Sequence, residues 1–270
     1  MMNWNQLISA KRFGMEEFHE ERQENRSEFQ RDYDRLIFSA PFRRLQNKTQ
    51  VFPLPGSVFV HNRLTHSLEV ASVGRSLGDD VAKALLERHP ELQDSFLPEI
   101  GSIVSAACLA HDLGNPPFGH SGEKAISTFF SEGKGVRLKE KQPNGEQLSP
   151  MEWEDLTHFE GNANAFRILT HQFEGRRRGG FVLTYSTLAS IVKYPFSSSL
   201  AGKKSKFGFF VSEEESYRKI ATELGLIQLS EQPLKYARHP LVYLVEAADD
   251  ICYQMMDIED AHKLKIITTD

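Results

Sequence analysis

IGSIVSAACLAHDL, residues 100–113, is the segment around which we expect the chain to fold. Its residues are small or apolar until His111 and Asp112, and it stops at the turn-forming sequence GNPP of residues 114–117. A helix that is apolar on nearly all sides is buried at the centre of a protein. We therefore predict a central helix that carries a histidine and an aspartate into the interior.

Further helices are predicted on both sides of this segment. They fall at residues 16–34 (one exposed helix or two), 61–86, 119–130, 162–173, 184–194, 213–224 and 240–265. Pro53, Pro55 and Gly56 predict a break, residues 131–150 a surface loop, and residues 197–210 a connection that could include a short hairpin. The sequence predicts an all-α helical bundle, one domain over residues 1–270, with at most a small β-hairpin.

Composition limits the classes of protein to consider. The net charge is -5, which argues against non-specific nucleic-acid binding but leaves room for a local anion site. The two cysteines, Cys108 and Cys252, lie in apolar runs, so we expect free thiols and a cytoplasmic location. We find neither a signal peptide nor a run of about 18 apolar residues, so no membrane contact is expected.

Two acidic positions interrupt apolar helices. Asp112 follows His111 in the central segment, and Asp249 and Asp250 interrupt the apolar part of residues 240–265. A buried carboxylate is costly unless it is paired or binds a metal. His66, His111, Asp112 and Asp249 provide two imidazoles and two carboxylates, a set that suits a divalent first-row metal. Each pair alone is also consistent with a hydrogen-bonded pair in the core.

The order His66, His111-Asp112, Asp249 resembles the signature of the HD phosphohydrolases. Longer strings are similar to the deoxyguanosine triphosphate triphosphohydrolases of that superfamily, and the likeness covers residues 35–260. The strings are FRRLQNKTQV at 42–51, HNRLTHS at 61–67, HDLGNPPFGHSGE at 111–123, FEGNA at 159–163 and EAADDI at 246–251.

The resemblance implies hydrolysis of a deoxynucleoside triphosphate, dGTP first, to a deoxynucleoside and inorganic triphosphate. It implies that His66, His111, Asp112 and Asp249 hold a divalent metal ion (Mg, Mn, Fe, Ni or Zn). Asp249 is preferred to Asp250 because the family pattern places the ligand directly after the small residue.

Catalytic and substrate-binding residues also follow from the resemblance. His120 and Glu123 match the pair that acts beside the α-phosphate; alone, they are also consistent with a turn histidine and a helix-capping glutamate. The implied substrate contacts are Gln50, Arg63, Asn162, Lys193, Tyr194, Tyr253 and Asp257. Arg63 is three residues before His66 and therefore shares its helix face. For Tyr253, core packing is the alternative.

Partners and competing functions complete the expectations. We expect a homo-oligomer, with residues 16–34 as one contact, and single-stranded DNA as a further ligand. Arg43, Arg44 and Lys48 form either a solvated basic face or an anion contact, and residues 176–178 either a solvated loop or a nucleic-acid contact. Relatives continue with a further helical region that we expect this chain to lack.

The alternative functions are an HD nucleotidase or phosphodiesterase, and a non-catalytic nucleotide-sensing or single-stranded DNA-binding module.

Overall fold

The computed structural model describes residues 2–17, 26–52, 60–142, 147–175, 178–202 and 205–268. Some predicted features lie outside the described residues. They are the break at Pro53, Pro55 and Gly56, residues 18–25 of the predicted N-terminal helix, and two of the three arginines at 176–178.

Helices dominate the described chain, which confirms the all-α prediction. The α-helices are α1 (Trp4–Leu7), α2 (Glu28–Ile37), α3 (Ala40–Arg44), α4 (Arg63–Arg88), α5 (Ile100–Ala110), α6 (Gly119–Ser131), α7 (Pro150–Thr157), α8 (Gly161–Thr170), α9 (Tyr185–Ile191), α10 (Glu214–Glu223) and α11 (Val242–Lys263). Short 3-10 helices occur at Leu45–Asn47, Pro90–Leu92, Leu97–Glu99, Lys134–Lys139, Ser198–Leu200 and Val211–Glu213. Strands β1 (Gln228–Ser230) and β2 (Lys235–Tyr236) form one antiparallel pair.

Helix α5 lies at the centre of the bundle. All of its residues are buried, and α2, α4, α9 and α11 pack against it. The approach of α4 is close: a Cβ on Gly78 would lie 2.7 Å from the Cα of Gly101. The predicted central helix is therefore confirmed, and its C-terminal end places His111 and Asp112 next to α4 and α11.

A capping box fixes the start of α4. The Asn62 side chain accepts hydrogen bonds from the backbone N–H groups of Leu64 and Thr65, and the Thr65 hydroxyl accepts one from the Asn62 N–H. Such a cap satisfies N–H groups that a helix start leaves unpaired. It also sets the phase of the first turn, so that Arg63 and His66 point towards α5.

The hairpin and several helices differ from the prediction. Helices α1 and α3 were not predicted, and α2 begins at Glu28, with residues 16–17 and 26–27 of the predicted 16–34 helix outside any helix. The described hairpin lies at β1 and β2, and residues 197–202 and 205–210 contain no strand; Phe207, Phe209 and Phe210 of that segment are packed into the interior. Helix α7 begins at the end of the predicted 131–150 loop and was missed. Its start nevertheless carries a capping box, in which Ser149 and Glu152 exchange hydrogen bonds with each other's backbone.

Two smaller expectations can be compared with the structure. Cys108 and Cys252 are free and buried, as predicted. Among the helices of the described chain, none combines the length and the apolar character that a membrane crossing requires.

A buried carboxylate joins α7 to the segment before α10. Asp155 Oδ2 accepts a hydrogen bond of 2.7 Å from the Val211 N–H, while its Oδ1 is buried without a hydrogen-bond partner in the described residues. Burial raises the pKa of Asp155 from 3.8 to about 6. The folded protein therefore favours the protonated acid, and the stability that this group contributes is lost as the pH rises from the unfolded pKa of 3.8 through about 6.

We predict that Asp155→Asn flattens the pH dependence of stability. From pH 4 to pH 7, the free energy of unfolding of the wild type should fall by up to about 3 kcal/mol relative to the variant, the equivalent of a two-unit pKa difference. Urea unfolding at several pH values measures this difference. Asp80→Asn makes the same change on an exposed turn of α4 and is the control. Parallel stability curves for the wild type and Asp155→Asn would contradict the prediction.

Candidate active site and metal centre

Three helices bring the predicted metal-binding residues together. His66 comes from α4, His111 and Asp112 from the end of α5, and Asp249 from the middle of α11. His66 Nε2 lies 3.0 Å from Asp249 Oδ1, and His111 Nε2 lies 3.5 Å from the same oxygen and 3.6 Å from Asp112 Oδ1. Side chains up to 183 positions apart in the sequence thus meet at one point.

This arrangement fits a divalent cation. His111 Nδ1 donates a hydrogen bond of 2.6 Å to the Cys108 carbonyl, which directs Nε2 towards the carboxylates, where it is buried and makes no hydrogen bond with the described residues. Atoms that share a cation at about 2.1 Å lie roughly 3 to 3.5 Å apart, as these do. Ligand atoms of His66, His111 and Asp112 all lie within 4.8 Å of one another, so these residues could hold a metal ion.

Asp249 and its neighbour Asp250 face opposite environments. Asp249 approaches both imidazoles, whereas Asp250 is exposed on the next position of α11. Consecutive helix residues point about 100° apart, and here Asp249 is the one that faces the histidines. The geometry supports the choice of Asp249, whose role as a ligand stays a prediction.

The group carries strongly coupled charges. Burial alone would lower the pKa of His111, but the charge of Asp112 and the close contact with Asp249 outweigh it and raise this pKa to about 9. Burial likewise opposes ionisation of Asp249, yet His111 and His66 hold the pKa of this carboxyl far below its usual value. Without a cation, a proton on His111 therefore balances the carboxylates. A metal would displace that proton, so its binding should be pH-dependent.

Arg63 and Lys48 support Asp112 and the turn that follows it. Arg63 Nη1 donates a hydrogen bond of 2.6 Å to Asp112 Oδ2. Lys48 Nζ donates a hydrogen bond of 2.8 Å to the backbone carbonyl of Asn115, so it stabilises the turn after α5. This role differs from both the solvated basic face and the anion contact that the sequence suggested for Lys48. Arg43 and Arg44 are exposed, as a solvated basic face would be.

His120 and Glu123 form a hydrogen-bonded pair at the edge of the metal-binding group. His120 Nδ1 lies 2.8 Å from Glu123 Oε2, and 87% of the His120 side chain is exposed. The buried Glu123 accepts a second hydrogen bond, of 2.8 Å, from the backbone N–H of Gly161 at the start of α8. Glu123 therefore does not cap its own helix α6, and the helix-capping alternative does not fit.

All predicted site residues line one cavity of about 320 Å³. They are Gln50, Arg63, His66, His111, Asp112, His120, Glu123, Asn162, Lys193, Tyr194, Asp249, Tyr253 and Asp257. Tyr253 is 38% exposed there, which excludes core packing for its ring. The structure thus brings these residues together, while their individual roles remain predictions.

Some polar groups that line the cavity are free to bind a ligand, whereas others are already paired within the protein. Gln50 Oε1 is buried and accepts no hydrogen bond from the described chain, so it is free to bind a donor. The Asn162 amide donates to Glu160 at 2.7 Å, so it is already engaged. Lys193 Nζ lies 3.0 Å from Glu246, and this contact outweighs burial and raises the pKa of Lys193.

Sequence reasoning missed two charged residues of the cavity. Lys206 Nζ lies 2.8 Å from Glu160 and 3.7 Å from Glu123, so it links the start of α8 to the His120–Glu123 pair. It belongs to a Ser-, Gly- and Lys-containing connection without periodicity, which offered no signal. Glu246 belongs to the EAADDI string, and its position one turn before Asp249 was the available signal.

Comparison with known proteins assigns the family. A family model described as HD domain matches residues 63–230, more than half of the chain. This chain belongs to the HD domain family. The match covers the helices that carry His66, His111 and Asp112, and also the His120–Glu123 pair.

Several curated proteins are similar to this HD domain. Proteins named deoxyguanosinetriphosphate triphosphohydrolase-like from Synechocystis sp. and Pseudomonas aeruginosa are each 47% identical, over 96% and 98% of the chain. A protein named deoxyguanosinetriphosphate triphosphohydrolase from Yersinia enterocolitica is 36% identical over 100% of it. The chain spans only 60%, 58% and 57% of the length of these three relatives.

We predict that Asp249→Asn lowers the metal content of the HD domain, while Asp250→Asn does not. The first change removes a charge that faces both imidazoles, and the second removes the same charge from the exposed neighbour. Elemental analysis after dialysis against limiting metal should show a loss of about tenfold in affinity or more for Asp249→Asn only. Equal metal content in both variants would contradict the assignment of Asp249.

Proposed function

We propose that this chain is a metal-dependent phosphohydrolase that converts a deoxynucleoside triphosphate to a deoxynucleoside and inorganic triphosphate. The preferred substrate in this proposal is dGTP. The observation that carries the proposal is the single cavity, which is lined both by the metal-binding group and by the His120–Glu123 pair. The names of the relatives support the nucleotide and the type of reaction. Because the chain spans about 60% of its relatives' length, the activity of the whole protein rests on this proposal.

A divalent cation held by His66, His111, Asp112 and Asp249 would supply Lewis-acid polarisation of a phosphate ester. Around that group, the chain offers Arg63 and Lys193 for phosphate oxygens. The Arg63 guanidinium is oriented by its hydrogen bond to Asp112, and Lys193 is held by its ion pair with Glu246. An oriented guanidinium binds phosphate oxygens in a fixed geometry.

His120 has the position of a proton-transfer residue. Its Nδ1 is engaged by Glu123, so its Nε2 is free to exchange a proton with the substrate. The proposed reaction breaks the bond between the α-phosphorus and the 5′-oxygen, and the leaving 5′-oxygen needs a proton. A histidine whose tautomer and orientation are fixed by a carboxylate is suited to supply it.

Other residues that line the cavity suit the sugar. Gln50 Oε1 would accept the 3′-hydroxyl, and Tyr253 and Asp257 follow Asp249 at four-residue intervals along α11. A tyrosine ring below the sugar would leave little room for a 2′-hydroxyl. The choice of guanine is supported only by the relatives' names. The homo-oligomer, the single-stranded DNA contact and the cytoplasmic location stay predictions.

The product of the reaction tests the proposal directly. Purified protein is incubated with each of the four dNTPs and Mn or Mg, and the products are separated by ion-exchange chromatography. We expect inorganic triphosphate and deoxynucleoside in equal amounts, with dGTP converted fastest. Pyrophosphate or single phosphate as the product would overturn the proposed reaction. Activity only on monophosphates or cyclic nucleotides would favour the alternative nucleotidase or phosphodiesterase.

We predict that His120→Ala lowers kcat by about 100-fold or more, the usual range for a lost general acid. The metal content should not change, because His120 does not contact the metal-binding group. His158→Ala is the matched control, since His158 pairs with Glu154 at 3.2 Å on α7, outside the residues that line the cavity. Equal kcat values for the two variants would remove His120 from the mechanism and favour a non-catalytic module.

A further inference from the structure

Glu246 places a negative charge in the wall that the proposed function assigns to phosphates. Its side chain lines the cavity one turn before Asp249 on α11. Oε1 lies 3.0 Å from Lys193 Nζ, and Oε2 accepts a hydrogen bond of 2.9 Å from Arg238 Nη1. A carboxylate at this position repels phosphate oxygens and also occupies the lysine that would bind them.

Arg238 contacts Glu246 without lining the cavity itself. Its guanidinium carbon lies 5.6 Å from the ring centres of both Tyr194 and Tyr243, and it is not among the described residues that line the cavity. The next residue, His239, is fully buried and lies 3.1 Å from the Leu7 carbonyl, which fixes the local backbone. Arg238 therefore compensates the charge of Glu246 without presenting its own charge to the substrate.

Among the carboxylates that pair with cations of the cavity, Glu246 can most easily give up its partner, Lys193. Of the three cations among the described cavity residues, Arg63 pairs with buried Asp112 and Lys206 with fully buried Glu160. Both of these carboxylates have further engagements, in the metal-binding group and at the start of α8. The side chains of Glu246 and Lys193 keep 23% and 34% of their exposure, so phosphate oxygens can replace the carboxylate on Lys193.

We propose that Glu246 competes with phosphate oxygens for Lys193. This competition limits how tightly the cavity retains inorganic triphosphate. Arg238 sets the strength of this competition, because it withdraws part of the charge of Glu246 from the cavity. The proposal rests on the proposed function, which places a polyphosphate at this wall. A wall without Glu246 would bind the product more tightly and release it more slowly.

The test measures binding of inorganic tripolyphosphate to metal-loaded protein by calorimetry. Glu246→Gln removes the competing charge but keeps an oxygen near Lys193, so the dissociation constant should fall about fivefold, the order expected for a partly exposed charge pair. Arg238→Gln leaves the charge of Glu246 uncompensated, so the dissociation constant should rise by a similar factor. Glu215→Gln, which breaks an exposed pair with Arg218 on α10, is the charge-matched control.

The opposite direction of the two shifts separates competition from a structural role. If the pair only supported the fold of the wall, both variants would weaken binding, and this result would overturn the proposal. An unchanged dissociation constant in Glu246→Gln, or no tripolyphosphate binding by any of the proteins, would also overturn it. Circular dichroism verifies folding, and Glu246→Ala, which also removes the competing charge and should also tighten binding, keeps the test decisive if Glu246→Gln does not fold. The measurement needs no turnover, so it is independent of the wild-type product assay.

Discussion

The free-energy cost of burying charged side chains in an apolar helix bundle determines which helices of this structure must meet. Helix α5 is buried along its whole length, yet it is followed directly by His111 and by Asp112, which is only 5% exposed. A buried carboxylate is tolerated only with partners of opposite charge. Arg63 and the two imidazoles provide them, which forces the start of α4 and the middle of α11 to converge on the end of α5. The site and the packing of the bundle therefore have the same cause.

Helix α11 shows how one helix serves both the core and the site. Val245, Ala248, Cys252 and Met256 form its buried face. A second face carries Glu246, Asp249, Tyr253 and Asp257 along one wall of the cavity. Because the faces are fixed by helical periodicity, the packing of the first determines the reach of the second. His61 and Asp260 reinforce this packing, since Asp260 accepts hydrogen bonds from the His61 backbone and ring at 2.9 and 2.8 Å.

The sequence predicted the features that arise from local pattern or from long shared strings. The apolar run of α5 predicted its burial, and the family resemblance named site residues that all line one cavity. The hairpin was misplaced because its strands contain only three and two residues, and Lys235 is also bridged to distant Phe196. Such short strands have no readable alternation. Lys206 was missed for a related reason, since its position depends on a contact with Glu160, 46 residues away.

The charges around the cavity explain why the proposed binding of phosphate oxygens by Arg63 and Lys193 would depend on a cation in the metal-binding group. Among the described residues that line it, the carboxylates of Asp112, Glu123, Glu246, Asp249 and Asp257 outnumber the cations Arg63, Lys193 and Lys206. Those three cations are each paired with a carboxylate, so the side chains alone make a poor site for a polyanion. A divalent cation would reverse this balance at the point where His66 and His111 meet Asp249. A negatively charged protein can then bind a negatively charged substrate selectively, because attraction is confined to one place while the surrounding carboxylates repel anions that cannot reach it.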